Sequence, residues 1–130
     1  MKLKFAMLAL AALCAIPLAA HHSFAAEYDS AKPVTIKGMF VKMDWINPHS
    51  WVHLEVTGED GKKAMWKAEA LPPNGLYRQG WRKDTLKAGE EISVEGFMAK
   101  DGSNTMWSRA VTRANGQRMF AGAAQSAESK

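Results

Sequence analysis

The sequence predicts an all-β protein: a small OB-like Greek-key β-barrel of five to six strands with one short helix, preceded by a signal peptide. The apolar residues of the first part of the chain form one uninterrupted run, as in a signal peptide. From Pro33 onward, short β-rich runs alternate with turn residues. Three such runs, a helical connection and two more runs follow the strand order of an OB barrel. A split six-stranded barrel or a small sandwich would give a similar pattern.

The first twenty residues have the composition of a secretory signal peptide. Two lysines precede residues 5–16, which are apolar except for the thiol of Cys14. This run is too short to cross a bilayer, which takes roughly 20 residues. Small residues follow Pro17, so we expect cleavage after Ala20 and a periplasmic or secreted mature protein. Cleavage after Ala25 is the alternative.

Cleavage after residue 20 leaves a mature chain of 110 residues, enough for one domain. Because Lys2 and Lys4 are removed, 15 basic residues face 13 acidic ones and the net charge falls from +4 to +2. This small charge does not indicate binding to nucleic acid or to an anionic membrane. The only cysteine is also removed, which excludes disulfides and thiolate chemistry. The expected organisation is a signal peptide (1–20), an N-terminal arm (21–32), the barrel (33–121) and a flexible tail (122–130).

The first β-rich run, residues 34–45, changes phase along its length. Val34 and Ile36 alternate in one phase, and the opposite phase is shared by Met39, Val41, Met43 and Trp45. Glycine permits the extra residue of a β-bulge, so the phase change predicts a bulge at Gly38.

The remaining runs complete the predicted barrel. Residues 51–57 alternate, with Val52 and Leu54 on the side opposite Trp51 and His53. The third strand is predicted near residues 63–70. A helical turn is predicted over residues 76–81, with Asn74 as its N-cap. Later strands are predicted near residues 92–97, 106–112 and 119–120, separated by turns at residues 100–104 and 115–116.

Four motifs resemble those of a family of small exported bacterial proteins of unknown function. They are HHSFAAEYD at residues 21–29, WxNPH at 45–49, GWxKDxLKxGE at 80–90 and KDGSNT at 100–105. The resemblance covers nearly all of residues 21–122. It implies export, a single β-barrel domain and cleavage before the paired histidines, and it implies no particular activity.

The four histidines are the candidate metal ligands. After cleavage at residue 20, the α-amine and the imidazole Nδ1 of His21 can chelate one metal ion, with His22 as a further donor. His49 or His53 would supply a third nitrogen. Such a nitrogen set favours Cu(II). The alternative is that His21 and His22 are polar residues at a frayed terminus, that His49 belongs to a turn and that His53 faces solvent.

Tryptophan and arginine side chains are the candidate ligand-binding groups. Trp51 lies out of phase with its apolar neighbours, and an exposed tryptophan on an OB sheet face can stack on a ligand. Packing of Trp51 under the N-terminal arm is the alternative. Basic residues around the predicted helix could contact an anion or simply be solvated. The candidate set is Trp45, Asn47, Trp51, Arg78, Trp81 and Arg82.

The sequence contains no motif for catalysis. It has no nucleophile elbow, no zinc-protease helix, no phosphate-binding glycine loop and no catalytic residue that we can assign. The sequence therefore predicts a non-enzymatic exported binding or interaction module, whose partner is an unknown small ligand or a periplasmic protein. The alternative function is periplasmic copper binding through the His21 amine and imidazole together with His49 or His53.

Overall fold

The computed structural model describes residues 24–122. The predicted signal peptide, His21, His22 and residues 123–130 of the predicted tail lie outside the described residues. Residues 24–27 form a helical turn. The strands and the helix that follow are β1 (Tyr28–Asp44), β2 (Ser50–Thr57), β3 (Lys63–Ala70), α1 (Pro73–Arg78), β4 (Glu91–Ala99), β5 (Thr105–Arg113) and β6 (Arg118–Phe120).

Five strands close into a barrel, which confirms the predicted fold class. The sheet order is β3-β2-β1-β4-β5-β6, and a parallel pairing between β3 and β5 joins the ends of the five-stranded part. All other neighbours are antiparallel. β6 is an extra strand that pairs only with β5, at residues 110–112. Helix α1 lies between β3 and β4 in the chain, as in an OB barrel.

Strand β1 is long enough to pair with two neighbours in succession. Its first half pairs with β4 and its second half with β2. Gly38 lies where the two pairings meet, and a Cβ atom there would stand 2.5 Å from the carbonyl oxygen of Glu55. The bend that closes the barrel therefore requires glycine at this position.

The β-bulge of β1 lies at Val41, so the prediction of a bulge at Gly38 is wrong. The register between β1 and β2 shifts between Phe40 and Lys42. The inward phase of Val34 and Ile36 continues through the glycine to Phe40, which is buried, whereas Met39 is exposed. The extra residue then returns Met43 and Trp45 to the inner side. The sequence pattern located a phase change but not the residue that makes it.

Helix α1 begins three residues earlier than predicted. It spans Pro73–Arg78 with Pro72 at the N-cap position, so the prediction of a helix over 76–81 capped by Asn74 is wrong in its bounds and its cap. Pro73 has the backbone angle that the first helical turn needs and loses no hydrogen bond there. The helix therefore starts at the proline pair.

The core fills the barrel from all sides. Val52 and Leu54 of β2, Ala68 of β3 and Val94 of β4 are fully buried. Leu76 of α1 and Trp81, which follows the helix, are also fully buried, and the indole Nε1–H of Trp81 donates to the carbonyl oxygen of Phe120 at 2.8 Å. The helix and the segment after it thus pack into the same core as the strands.

Candidate functional site

Strands β2, β3 and β5 present polar and aromatic side chains on the outer face of the barrel. Along β2 the buried residues Val52 and Leu54 alternate with the partly exposed Trp51 and His53. Trp51 pairs with Glu69 of β3, and Glu69 pairs with Trp107 of β5. Because directly paired residues point to the same side of a sheet, these three side chains share the outer face.

A buried carboxylate joins His49 to Tyr28 on this face. The Nδ1 atom of His49 donates to Oε1 of Glu69, and the hydroxyl of Tyr28 donates to Oε2 of the same carboxylate. The Glu69 side chain is only 7% exposed, whereas that of His49 is 34% exposed. In a neutral His49 ring, a proton on Nδ1 leaves the other ring nitrogen, Nε2, as the acceptor that a ligand could use.

The N-terminal helical turn covers this carboxylate with aromatic rings. The ring centroid of Phe24 lies 5.4 Å from that of Trp107 and 5.6 Å from that of Tyr28. The His49 ring meets Trp107 edge-to-face at 5.9 Å. The backbone N–H of Lys100 donates to the carbonyl of Glu27 at 2.8 Å, which ties the turn to the β4–β5 connection. We call Phe24, Tyr28, His49, Glu69 and Trp107 the N-terminal cluster.

Burial within the N-terminal cluster keeps the Tyr28 hydroxyl protonated. Desolvation by burial raises the pKa of Tyr28 well above its ordinary value, and the hydrogen bond to Glu69 raises it further. A protonated hydroxyl is the donor that the Glu69 carboxylate requires. The Tyr28 hydroxyl therefore remains a hydrogen-bond donor at neutral pH.

His53 belongs to a different polar pair. Its Nε2 donates to Oδ2 of Asp44 at 2.8 Å, and this hydrogen bond, followed by that from Lys42, lowers the pKa of the Asp44 carboxyl. His49 and His53 are four residues apart in and beside an extended strand, roughly 13 Å. The structure therefore does not bring the two predicted histidine ligands together.

Residues 24–122 contain no cluster of the side chains that most often bind metal ions. Within that range no three histidine, cysteine, aspartate or glutamate side chains are close enough together to hold a metal ion. The other predicted ligands, His21 and His22, lie outside the described residues. His49 can supply one ring nitrogen, so a metal ion bound there needs further donors from outside residues 24–122.

A groove of about 860 Å³ runs beside Trp51. It lies between the N-terminal helical turn, β3 and the β4–β5 connection, and we call it the Trp51 groove. The ammonium group of Lys67 lies over the indole of Trp51, 4.8 Å from the ring centroid. Lysine and acidic side chains both line the groove, at Lys67, Lys100, Glu27 and Asp101.

The other predicted ligand-binding residues lie around α1. The rings of Trp45 and Tyr77 lie 5.5 Å apart, and the guanidinium of Arg82 lies 5.4 Å from the Tyr77 ring centroid. Asn47 and Arg78 are exposed. Trp81 is fully buried and contacts the core, so its ring has no surface to offer a ligand.

Sequence reasoning did not identify Glu69 or Tyr28 as site residues. Glu69 stands on a strand between two alanines, where an alternating pattern predicts an exposed carboxylate. The only sequence signal for Tyr28 was its place in the HHSFAAEYD motif. The contact between them joins residues 41 positions apart, and no local pattern predicts it.

The fold makes this chain a small closed β-barrel protein of the OB type. Its sequence matches the DUF6152 family, described as a family of unknown function, over residues 9–108, and the chain belongs to that family. No curated protein matches the chain. Within the part of the chain that the structure describes, no helix is both long and apolar enough to cross a membrane.

Proposed function

We propose that this protein acts after export as a non-enzymatic binding module whose ligand is Cu(II), held between His49 and the mature N-terminal residue His21. The observation that carries the proposal is the contact between Nδ1 of His49 and the buried Glu69 carboxylate. Metal-binding histidines usually donate their second ring N–H to a carboxylate, which fixes the ring and raises its basicity. His49 has this arrangement before any metal arrives.

The position of the N-terminal turn supports His21 as the second ligand residue. Phe24 and His49 both contact the Trp107 ring, at centroid distances of 5.4 and 5.9 Å. Three residues of chain can span at most roughly 10 Å, a length comparable to the separation of two rings that contact the same indole. His53 makes the same kind of contact, with Asp44, but within residues 24–122 it is His49 that contacts the Trp107 ring shared with Phe24, which favours His49 as the third donor.

The donor set favours copper. The α-amine and Nδ1 of His21, together with Nε2 of His49, are three nitrogen donors. Nitrogen donors in a tetragonal array suit Cu(II) better than other first-row divalent ions. The α-amine, with a reference pKa near ~8, can lose its proton to the metal at neutral pH.

Copper titration of histidine variants tests this proposal. The mature chain beginning at His21, with its start verified by mass, is expected to bind one equivalent of Cu(II). His49→Ala should weaken binding by more than tenfold, because losing the supporting carboxylate alone costs about 10–100-fold. His53→Ala is the matched control and should bind like the wild type.

A competing chelator gives the affinities in this titration, and circular dichroism verifies that each variant is folded. Two adjacent histidines at a free terminus bind some Cu(II) even in an unfolded chain. The decisive quantity is therefore the difference between the two variants. Equal affinities for His49→Ala and His53→Ala would contradict the proposal.

The Trp51 groove supports a second candidate function, the binding of a small organic ligand. The partly exposed indole of Trp51 could stack on an aromatic molecule, and the lysine and acidic side chains that line the groove could bind its polar groups. Native mass spectrometry of the exported protein should then show an added small-molecule mass. We expect Trp51→Ala to lose that mass and Tyr77→Ala to keep it. Retention of the mass by Trp51→Ala would exclude the groove as its site.

A further inference from the structure

Apolar and cationic side chains share one surface around α1, away from the N-terminal cluster. Ile46, in the connection between β1 and β2, is 52% exposed, and Tyr77 of α1 is 38% exposed. The Tyr77 ring lies against Trp45, the residue before Ile46. Three exposed basic residues accompany them. We call this surface the helix patch; it consists of Trp45, Ile46, Tyr77, Arg78, Arg82 and Lys83.

The cations of the helix patch are not neutralised by the folded chain. Among residues 24–122, no carboxylate lies within ion-pair distance of Arg78, Arg82 or Lys83. Residues 76–83 include these three basic residues and no acidic one, and Asp84 follows them. The net charge of the whole chain is small because it averages this patch with acidic segments elsewhere.

The contacts of Arg82 fix its position in the helix patch. One guanidinium nitrogen of Arg82 donates to the carbonyl oxygens of Tyr77 and Trp81, at 3.2 and 2.6 Å. The same guanidinium lies over the Tyr77 ring. Trp81 is buried in the core, and it anchors the chain segment on which these basic residues lie. Trp45, Tyr77 and Arg82 therefore form one continuous surface of aromatic and cationic groups.

We propose that the helix patch binds the surface of an anionic phospholipid membrane. An exposed isoleucine can enter the boundary between headgroups and acyl chains, and tryptophan and tyrosine prefer that depth. Arginine and lysine beside them pair with the lipid phosphates. This inference does not depend on copper binding.

The form of the helix patch favours a membrane over an acidic peptide. Peptides bind in grooves or along free strand edges, where their backbone finds partners. Ile46 lies in a connection between strands, and the Trp51 groove is lined by other residues. An exposed isoleucine next to the Trp45–Tyr77–Arg82 contact suits a soft, flat anionic surface.

Vesicle sedimentation of the mature protein tests the proposal. Vesicles with roughly one part phosphatidylglycerol to two parts phosphatidylcholine should bind the protein at low salt, and pure phosphatidylcholine vesicles should not. Each lost cation should weaken binding roughly fivefold, so Arg78→Gln with Lys83→Gln should cost about 25-fold. The matched control, Lys32→Gln with Lys62→Gln, removes the same charge from two exposed lysines elsewhere and should leave binding unchanged.

An apolar pair of variants tests insertion separately from charge. Ile46→Ser should weaken binding to the anionic vesicles, and Met65→Ser, which alters a side chain that is 50% exposed on β3, should not. Absence of binding to anionic vesicles at low salt would overturn the proposal. An equal loss of vesicle binding in the two double variants that remove charge would also overturn it, as would full binding by Ile46→Ser. Binding to polyglutamate without binding to vesicles would instead assign the patch to an acidic protein partner.

Discussion

Replacing Trp81 by alanine is expected to lower the free energy of unfolding by about 3–5 kcal/mol, the range for removing a large aromatic side chain from a packed core. Trp81 is fully buried. It ties the segment that follows α1 to β6 through the hydrogen bond from Nε1 to the carbonyl of Phe120, at 2.8 Å. The alanine variant loses the ring contacts and leaves that carbonyl without its donor. Domains of this size have total stabilities of about 5–15 kcal/mol, so the variant should be marginally folded.

Thermal denaturation, followed by circular dichroism, measures the effect of Trp81→Ala. The melting temperature should fall by roughly 12–40 °C, at about 4–8 °C for each kcal/mol. Trp51→Ala is the matched control, because it removes the same side chain from the outer face and should cost less than half as much. Equal losses for the two variants would show that Trp81 does not hold the helical segment in the core.

Acetylating the α-amine of His21 is expected to weaken Cu(II) binding more than about 100-fold, beyond the cost of losing a ligand's supporting partner. Acetylation turns the α-amine of His21 into an amide, which removes one donor of the proposed chelate. The imidazole remains, and the described barrel is not altered. The effect therefore separates a site built on the N-terminal amine from simple binding to imidazole.

The same acetylation in a His49→Ala background supplies the control for this prediction. If the His21 amine and His49 bind one metal ion together, the two changes should be strongly non-additive. Additive losses would mean that the two groups bind copper independently. Melting temperatures of the variants without metal verify that their stability is unchanged.

The fold was predictable because its signals are local. Alternation of Val52 and Leu54 with Trp51 marks β2, and turn residues such as Asn115 and Gly116 separate the later strands. The order of strands and helix then matches an OB barrel, which the parallel pairing of β3 with β5 confirms. The position of the bulge was not predictable in this way, because Met39 and Val41 are exposed despite their apolar character.

The candidate site was predictable only in part because its contacts are long-range. The residue type of His49 made it a candidate metal ligand. No local pattern indicated that the carboxylate of Glu69 contacts its ring. Glu69 is buried only because the N-terminal turn places Phe24 and Tyr28 over the outer face of the sheet. The sequence contains that turn next to a predicted cleavage site, where a flexible arm is the ordinary expectation.

Electron paramagnetic resonance of the mature protein with one equivalent of Cu(II) tests the copper proposal most directly. The chain that begins at His21 should give a single tetragonal species with coupling to several nitrogen nuclei. The chain acetylated at His21 and His49→Ala should each lose that species, and His53→Ala should keep it. A spectrum that is the same in the mature chain, the acetylated chain and His49→Ala would contradict the proposed site.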